Sequence, residues 1–262
     1  METRRRYVYA VLSLAAYVVL KLGIPRLHVP DSPYAKDGLL LTSVLLFMAV
    51  QIALVRWIAS LEIRPWAVAT TMVVCAGAFV TALKLRVNLG IGNELLLIGA
   101  LCTLGRLVSL VVREPNLLLP VAVFAPVFDI WTVFWGPAHI LIRKAPKLVQ
   151  AVSATVPAPG QIQPILMIGP GDIVFLAVFF AIIYRFRMND RRTYWLALPL
   201  LTLAMFAVVG LGGIFALPAL VPMGAAVILA NWRLFSLTRQ EKWSMAAVAL
   251  IVLGFVTFAA LR

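Results

Sequence analysis

Apolar runs of about 20 residues, each closed by charges and turn formers, recur along the whole chain, and a helix of about that length crosses the hydrocarbon of a bilayer. On that ruler the sequence predicts nine spanning helices, near 7–24, 38–60, 66–85, 93–112, 117–141, 163–186, 194–213, 215–234 and 243–261. The short connections hold most of the charges and turn residues, as in His28-Val29-Pro30-Asp31-Ser32-Pro33 and Met188-Asn189-Asp190-Arg191-Arg192. The longest, about 143–162, is rich in Ala, Val and Pro. Nothing resembles a separate soluble domain or an internal repeat. The expected fold class is therefore an all-α polytopic membrane protein, with 1–262 as a single transmembrane domain.

Composition supports the same class. Hydrophobic residues make up 63% of the chain and charged residues 13%, with a mean hydropathy of +1.01. A soluble domain carries about 25% charged residues, so a soluble enzyme, a nucleic-acid binder and a disordered scaffold are all disfavoured. The net charge of +13 comes from Lys and Arg between apolar runs, where they report topology and contact with anionic headgroups. The lipid bilayer is thus an expected partner and nucleic acid is not. With the N-terminus cytoplasmic, 14 Lys and Arg fall inside and nine outside, in the sense of the positive-inside rule. Arg143, Lys144 and Lys147 run against that orientation. Arg4-Arg5-Arg6 before an apolar run resembles a secretory signal, but no small-residue cleavage site follows it, and Lys21, Pro25 and Arg26 do. A retained first helix is expected. Cys75 and Cys102 both lie within apolar runs and read as packing residues.

The ten acidic residues can be inspected one at a time. Glu2, Asp31, Asp37, Glu62, Glu114, Asp190 and Glu241 fall at ends or in loops, and Glu94 falls at the start of the fourth span near an interface. Asp129 and Asp172 remain, each expected near the middle of its span, the fifth and the sixth. A carboxylate at that depth costs several kcal/mol unless it is protonated, paired or hydrated. No Lys or Arg lies within about two helical turns of either. Two acids on consecutive spans at comparable depth can face each other and share a proton. That is the state aspartic proteases use, one carboxylate activating water while the other, protonated, polarises the scissile carbonyl. The same pair also suits a helix–helix hydrogen bond or a proton relay in a transporter.

The flanking residues separate these options. The chain reads Ala125-Pro126-Val127-Phe128-Asp129-Ile130-Trp131-Thr132-Val133-Phe134, then Ile168-Gly169-Pro170-Gly171-Asp172-Ile173-Val174-Phe175, then Leu217-Pro218-Ala219-Leu220-Val221-Pro222. Gly169-Pro170-Gly171 forms helix poorly and lets another backbone approach. Irregular backbone at membrane depth is tolerated only beside protein or water, so a hydrated cavity is expected at Asp172, and Pro218–Pro222 makes a second such place. In this order the three motifs resemble the presenilin and signal peptide peptidase family of intramembrane aspartyl proteases, which carries Tyr-Asp, Gly-x-Gly-Asp and Pro-Ala-Leu motifs on three helices. The closer similarity is to signal peptide peptidases, through Phe128-Asp129-Ile130-Trp131-Thr132-Val133-Phe134 and Gly171-Asp172-Ile173-Val174. It covers about 125–235 and includes the single helix between the second and third motifs.

The resemblance implies a presenilin-like core over 116–235, preceded by helices in 1–115 and followed by an extra helix in 236–262. It implies Asp129 and Asp172 as the catalytic dyad. Pro218, Ala219 and Leu220 would shape the site and hold substrate, and Gly169 and Gly171 would give the substrate backbone access. The implied partners are transmembrane-helix substrates, cut without metal or organic cofactor. Phe128 stands where the family has tyrosine, Pro170 fills the variable position, and four predicted spans precede the Asp129 helix where the family has five. A cytoplasmic N-terminus sends that helix outward, as in signal peptide peptidases. Two alternatives keep the same residues: a proton-coupled transporter with the Asp pair as relay, and an inactive relative that binds membrane helices. With no retention or glycan signal evident, a prokaryotic plasma membrane is the expected location; oligomeric state is open. His28 and His139 are far apart and suggest no metal site. Gly90-Ile91-Gly92 lacks a strand–helix context and reads as a turn. Arg106, within the fourth span, is expected to snorkel or to pair with Glu94 or Glu114.

Overall fold

A computed structural model describes residues 2–29, 32–87, 89–134, 144–210 and 218–236, together with Trp243 and Gly254. In chain order its longer elements are α1 (Glu2–Gly23), α2 (Pro33–Ala59), α3 (Pro65–Lys84), α4 (Ile91–Ser109), α5 (Leu118–Phe134), α6 (Pro146–Ala151), β1 (Ala154–Ala158), β2 (Gln161–Ile168), α7 (Pro170–Arg185), α8 (Asp190–Gly210) and α9 (Leu220–Asn231). Pro33, Pro65 and Pro170 open their helices at the first position, where the missing amide hydrogen would have no partner. Lys21, Arg56, Lys84, Arg106 and Arg185 occupy last turns, where a cation meets the negative end of the helix dipole.

Among the described residues, five helices are long and apolar enough to cross a membrane: Thr3–Arg26, Tyr34–Ala59, Pro65–Lys84, Ile91–Ser109 and Pro115–Val133. They coincide with the first five expected spans. Large apolar side chains such as Val11, Val19, Val73, Val74 and Leu203 are exposed on helix surfaces, as lipid-facing positions are. The later part of the chain departs from the expected pattern. The sixth span was expected from 163, but 161–168 is a strand and the helix begins only at Pro170. The helix expected from 215 is described from Leu220 and has 12 residues. The end of the fifth expected span, His139, Leu217 and nearly all of the ninth span at 243–261 lie outside the described residues.

The chain divides into two compact units, Met1–Val111 with Gln150–Arg185, and Val112–Val149 with Phe186–Arg262. In the first, α7 is the central helix, with Ile173 and every residue from Leu176 to Ile183 buried. A helix apolar all round is buried in protein or in lipid, and here α2 and α4 pack against it. The approach of α4 depends on Gly105: a Cβ there would stand 2.5 Å from the Val174 carbonyl oxygen and 2.8 Å from Ala177 Cβ. Tyr17 of α1 packs on Phe47 of α2, the rings tilted by 42° with centroids 5.1 Å apart. Near the other end of α1, Arg6 pairs with Glu62 at 2.7 Å and lies over the Tyr184 ring.

In the second unit α9 packs on both α5 and α8. Pro126 has no amide hydrogen, so within α5 the Ala122 carbonyl loses its usual donor. Gly224 of α9 is seated against that carbonyl, and a Cβ there would also stand 2.8 Å from Pro126 Cγ. The junction of α9 with α8 is polar and closed. The buried Asn231 amide donates to Thr193 Oγ1 (3.0 Å) and to the Val227 carbonyl (2.9 Å), while its oxygen accepts from Asn189 N–H (2.9 Å). Removing the side chain strands the Asn189 N–H, and a stranded buried donor costs more than a typical bond contributes. Asn231→Ala is expected to destabilise the second unit by about 3 kcal/mol, read as a lower midpoint in thermal unfolding in detergent.

Candidate active site

Asp129 lies in the fourth turn of α5, three residues beyond the Pro126 irregularity, and is half-buried. Its Oδ2 accepts the backbone N–H of Leu220 at 3.2 Å. Leu220 is the first residue of α9, so its amide is one of the four that a helix start leaves without an internal partner. Pro218, Ala219 and Leu220 are all buried. The first and third motifs of the sequence thus meet, across 91 residues, through one carboxylate. Phe128, beside Asp129 in the first motif, is 62% exposed and lies against Trp131, ring centroids 5.5 Å apart.

Asp172 is placed differently from the expectation. It is the third residue of α7, in the first turn, rather than midway along a helix begun near 163. The physical reason is local: the Gly169-Pro170-Gly171 stretch does not continue a helix, and proline starts one readily. Asp172 Oδ2 accepts the N–H of Gly169 at 3.1 Å, the return arm of a capping box. Gly169 and Gly171 differ in their surroundings. A Cβ on Gly169 would stand 3.3 Å from Asp172 Oδ2, whereas one on Gly171 would meet nothing within 4 Å.

The element that the expected span concealed is the hairpin of β1 and β2, which ends one residue before Gly169. Its tip is Pro159-Gly160, with Ala158 opposite Gln161 and Gly160 at φ 65°. Proline followed by a glycine in the left-handed region is the requirement of a type II turn. That dipeptide, with the polar–apolar alternation Gln161-Ile162-Gln163, was the signal for a hairpin in the sequence.

The edge of β1 is occupied at Thr155. Its N–H donates to Glu94 Oε1 at 2.6 Å, and its carbonyl accepts from Lys21 Nζ. In an antiparallel ladder both backbone polar groups of one residue point to the same side. Thr155 faces Met167, so this is a non-hydrogen-bonded pair, and the N–H and C=O of Met167 point away from β1. Met167 is exposed, and β2 forms the other edge of the two-stranded sheet. Glu94 stands in the first turn of α4 as expected, but its cationic partner is Lys21 rather than Arg106, which donates to the Ile63 carbonyl.

No protein-family model, no curated protein and no solved structure matches this chain.

Proposed function

We propose that the chain is an intramembrane aspartyl protease that hydrolyses peptide bonds within transmembrane helices of other proteins, signal anchors or remnant signal peptides among them. The observation that carries this reading is the bond from Leu220 N–H to Asp129 Oδ2, which joins an intramembrane acid to the Pro-Ala-Leu segment. Asp172 supplies the second carboxyl, at the start of a helix and next to a strand. In the proposed reaction one Asp, ionised, takes a proton from water as its oxygen attacks the scissile carbonyl carbon. The other, protonated, gives its proton to the carbonyl oxygen. As the tetrahedral gem-diol collapses, the Asp that took the water's proton gives it to the leaving amine nitrogen, and a gem-diol hydroxyl returns its proton to the other Asp. The dyad then shares one proton again, so no metal or organic cofactor is called for.

A helical substrate hides its amides in intrahelical bonds and must unwind locally before attack. The outward-pointing backbone of Met167 offers the unwound segment a place to pair by strand addition, two residues before Gly169. In this scheme Gly169 and Gly171 give the substrate backbone access, and Pro218, Ala219 and Leu220 shape the site and help hold substrate. The cell location that fits is a prokaryotic plasma membrane with the N-terminus cytoplasmic.

The test is cleavage of a tagged single-span signal-anchor peptide by the purified chain in detergent, with product masses read by mass spectrometry. Cuts inside the span support the protease. A panel of such peptides left intact, together with pH-gradient-driven flux in liposomes, assigns the acids to a proton-coupled transporter instead.

A further inference from the structure

We propose that the buried pair of Lys21 and Glu94 positions the substrate-pairing strand, by locking β1 in register and closing its outer edge so that an incoming strand can add only to β2. This inference rests on the protease reading above. The side chains of Lys21 and Glu94 are 11% and 12% exposed, with Nζ 2.8 Å from Oε2. Removing two charges from water is costly, and a buried ion pair is often no more stabilising than apolar residues in its place. What the pair does here is directional. Glu94 Oε1 accepts from Thr155 N–H and from Tyr17 Oη (3.0 Å), while Lys21 Nζ donates to Thr155 Oγ1 (2.6 Å) and to the Thr155 carbonyl. One strand residue is thereby held by both of its backbone polar groups and by its side chain.

Two consequences follow from strand geometry. Side chains alternate with period two, so a slip of one residue would turn every side chain over and exchange inward and outward backbone groups. Fixing Thr155 forbids that slip, and with it fixes Met167 opposite and Ile168 opposite Ala154. Ile168 leads directly into Gly169, whose N–H is bound by Asp172. A continuous set of contacts therefore runs from the α1–α4 ion pair through β1 and β2 to the acid. Lys21 and Glu94 are positioning residues in this scheme: they touch the strand, not the substrate.

The experiment uses the full chain in detergent with the signal-anchor peptide, comparing wild type with Lys21→Met, Lys21→Arg, Glu94→Gln and Thr155→Val. Hydrogen exchange of the 154–168 backbone is measured beside KM and kcat. Lys21→Met and Glu94→Gln are expected to speed hairpin exchange while the 173–183 amides stay protected. They should also raise KM about tenfold, with kcat within about twofold of wild type. Lys21→Arg, which keeps charge and donors, is expected to restore both. If Lys21→Met fails to protect 173–183, the comparison passes to Glu94→Gln and to the milder Thr155→Val. Unchanged hairpin exchange overturns the proposal, and so does faster exchange with KM unmoved. A fall in kcat at constant KM also overturns it, since that is what loss of folded enzyme produces. Wild-type protein that cuts nothing removes the protease reading and the substrate role with it, while exchange, which needs no substrate, still decides whether the pair anchors the strand.

Discussion

Asp129→Asn and Asp172→Asn, each made alone, are expected to reduce cleavage of the signal-anchor peptide by at least about 10³-fold. The substitution is chosen because it separates a catalytic role from a structural one at both positions. Each carboxylate accepts one backbone N–H, Asp129 from Leu220 and Asp172 from Gly169. An asparagine oxygen accepts such a bond as well as an aspartate oxygen does, and the two residues are near equals as helix caps. If these acids only tie down helix starts, both variants fold and work as wild type. If they form a dyad, the amide can neither take a proton from water nor deliver one to a carbonyl, and turnover stops although the fold persists. Unfolding midpoints in detergent serve as the control and are expected to stay close to wild type. The double variant is expected to be no slower than either single one, because groups that act as a unit lose their whole effect when one is removed. Substantial activity in either single variant overturns the dyad.

How much of this was legible beforehand depends on the range over which each signal acts. Membrane spans are local, and runs such as 38–60 and 66–85 correspond closely to α2 and α3. Asp129 and Asp172 stood out for the same reason, as charges inside apolar stretches. The position of Asp172 along its helix was misjudged because Ile165-Leu166-Met167-Ile168 is as apolar as a span, and hydropathy does not distinguish a buried strand from a buried helix. Pro157, Pro159 and Pro164 carried the missing information. Prolines are poor in helix interiors yet tolerated in edge strands, and both strands of a two-stranded sheet are edge strands. Long-range pairings left no such trace. Nothing near Glu94 in sequence points to Lys21, 73 residues earlier, or to Thr155, 61 residues later. The fit of Gly224 onto the Ala122 carbonyl likewise depends on where Pro126 breaks the bonding of α5, and that is decided by packing.

The second large effect is expected from Met167→Pro. Because Thr155–Met167 is a non-hydrogen-bonded pair, the Met167 N–H is not part of the hairpin ladder, and proline there removes no bond between β1 and β2. Proline is tolerated at such an outward-facing edge position, and the preceding residue, Leu166, is already in the extended conformation that proline favours. Hairpin exchange in the variant is therefore expected to match wild type. The outer edge, in contrast, loses a donor at the residue that faces an added strand, and the proline ring fills the space where that strand's carbonyl would sit. Cleavage of the signal-anchor peptide is expected to fall about 100-fold in kcat/KM, the size of losing a bond made in a desolvated site with its acceptor left unpaired. Met167→Ala keeps the N–H and removes only the side chain, so it is expected to remain within about threefold of wild type, a small change for a half-exposed residue. The contrast between the two variants assigns the effect to backbone pairing rather than to a side-chain pocket. Equal losses in both would place recognition in the Met167 side chain, and no loss in either would mean that substrate does not pair with β2.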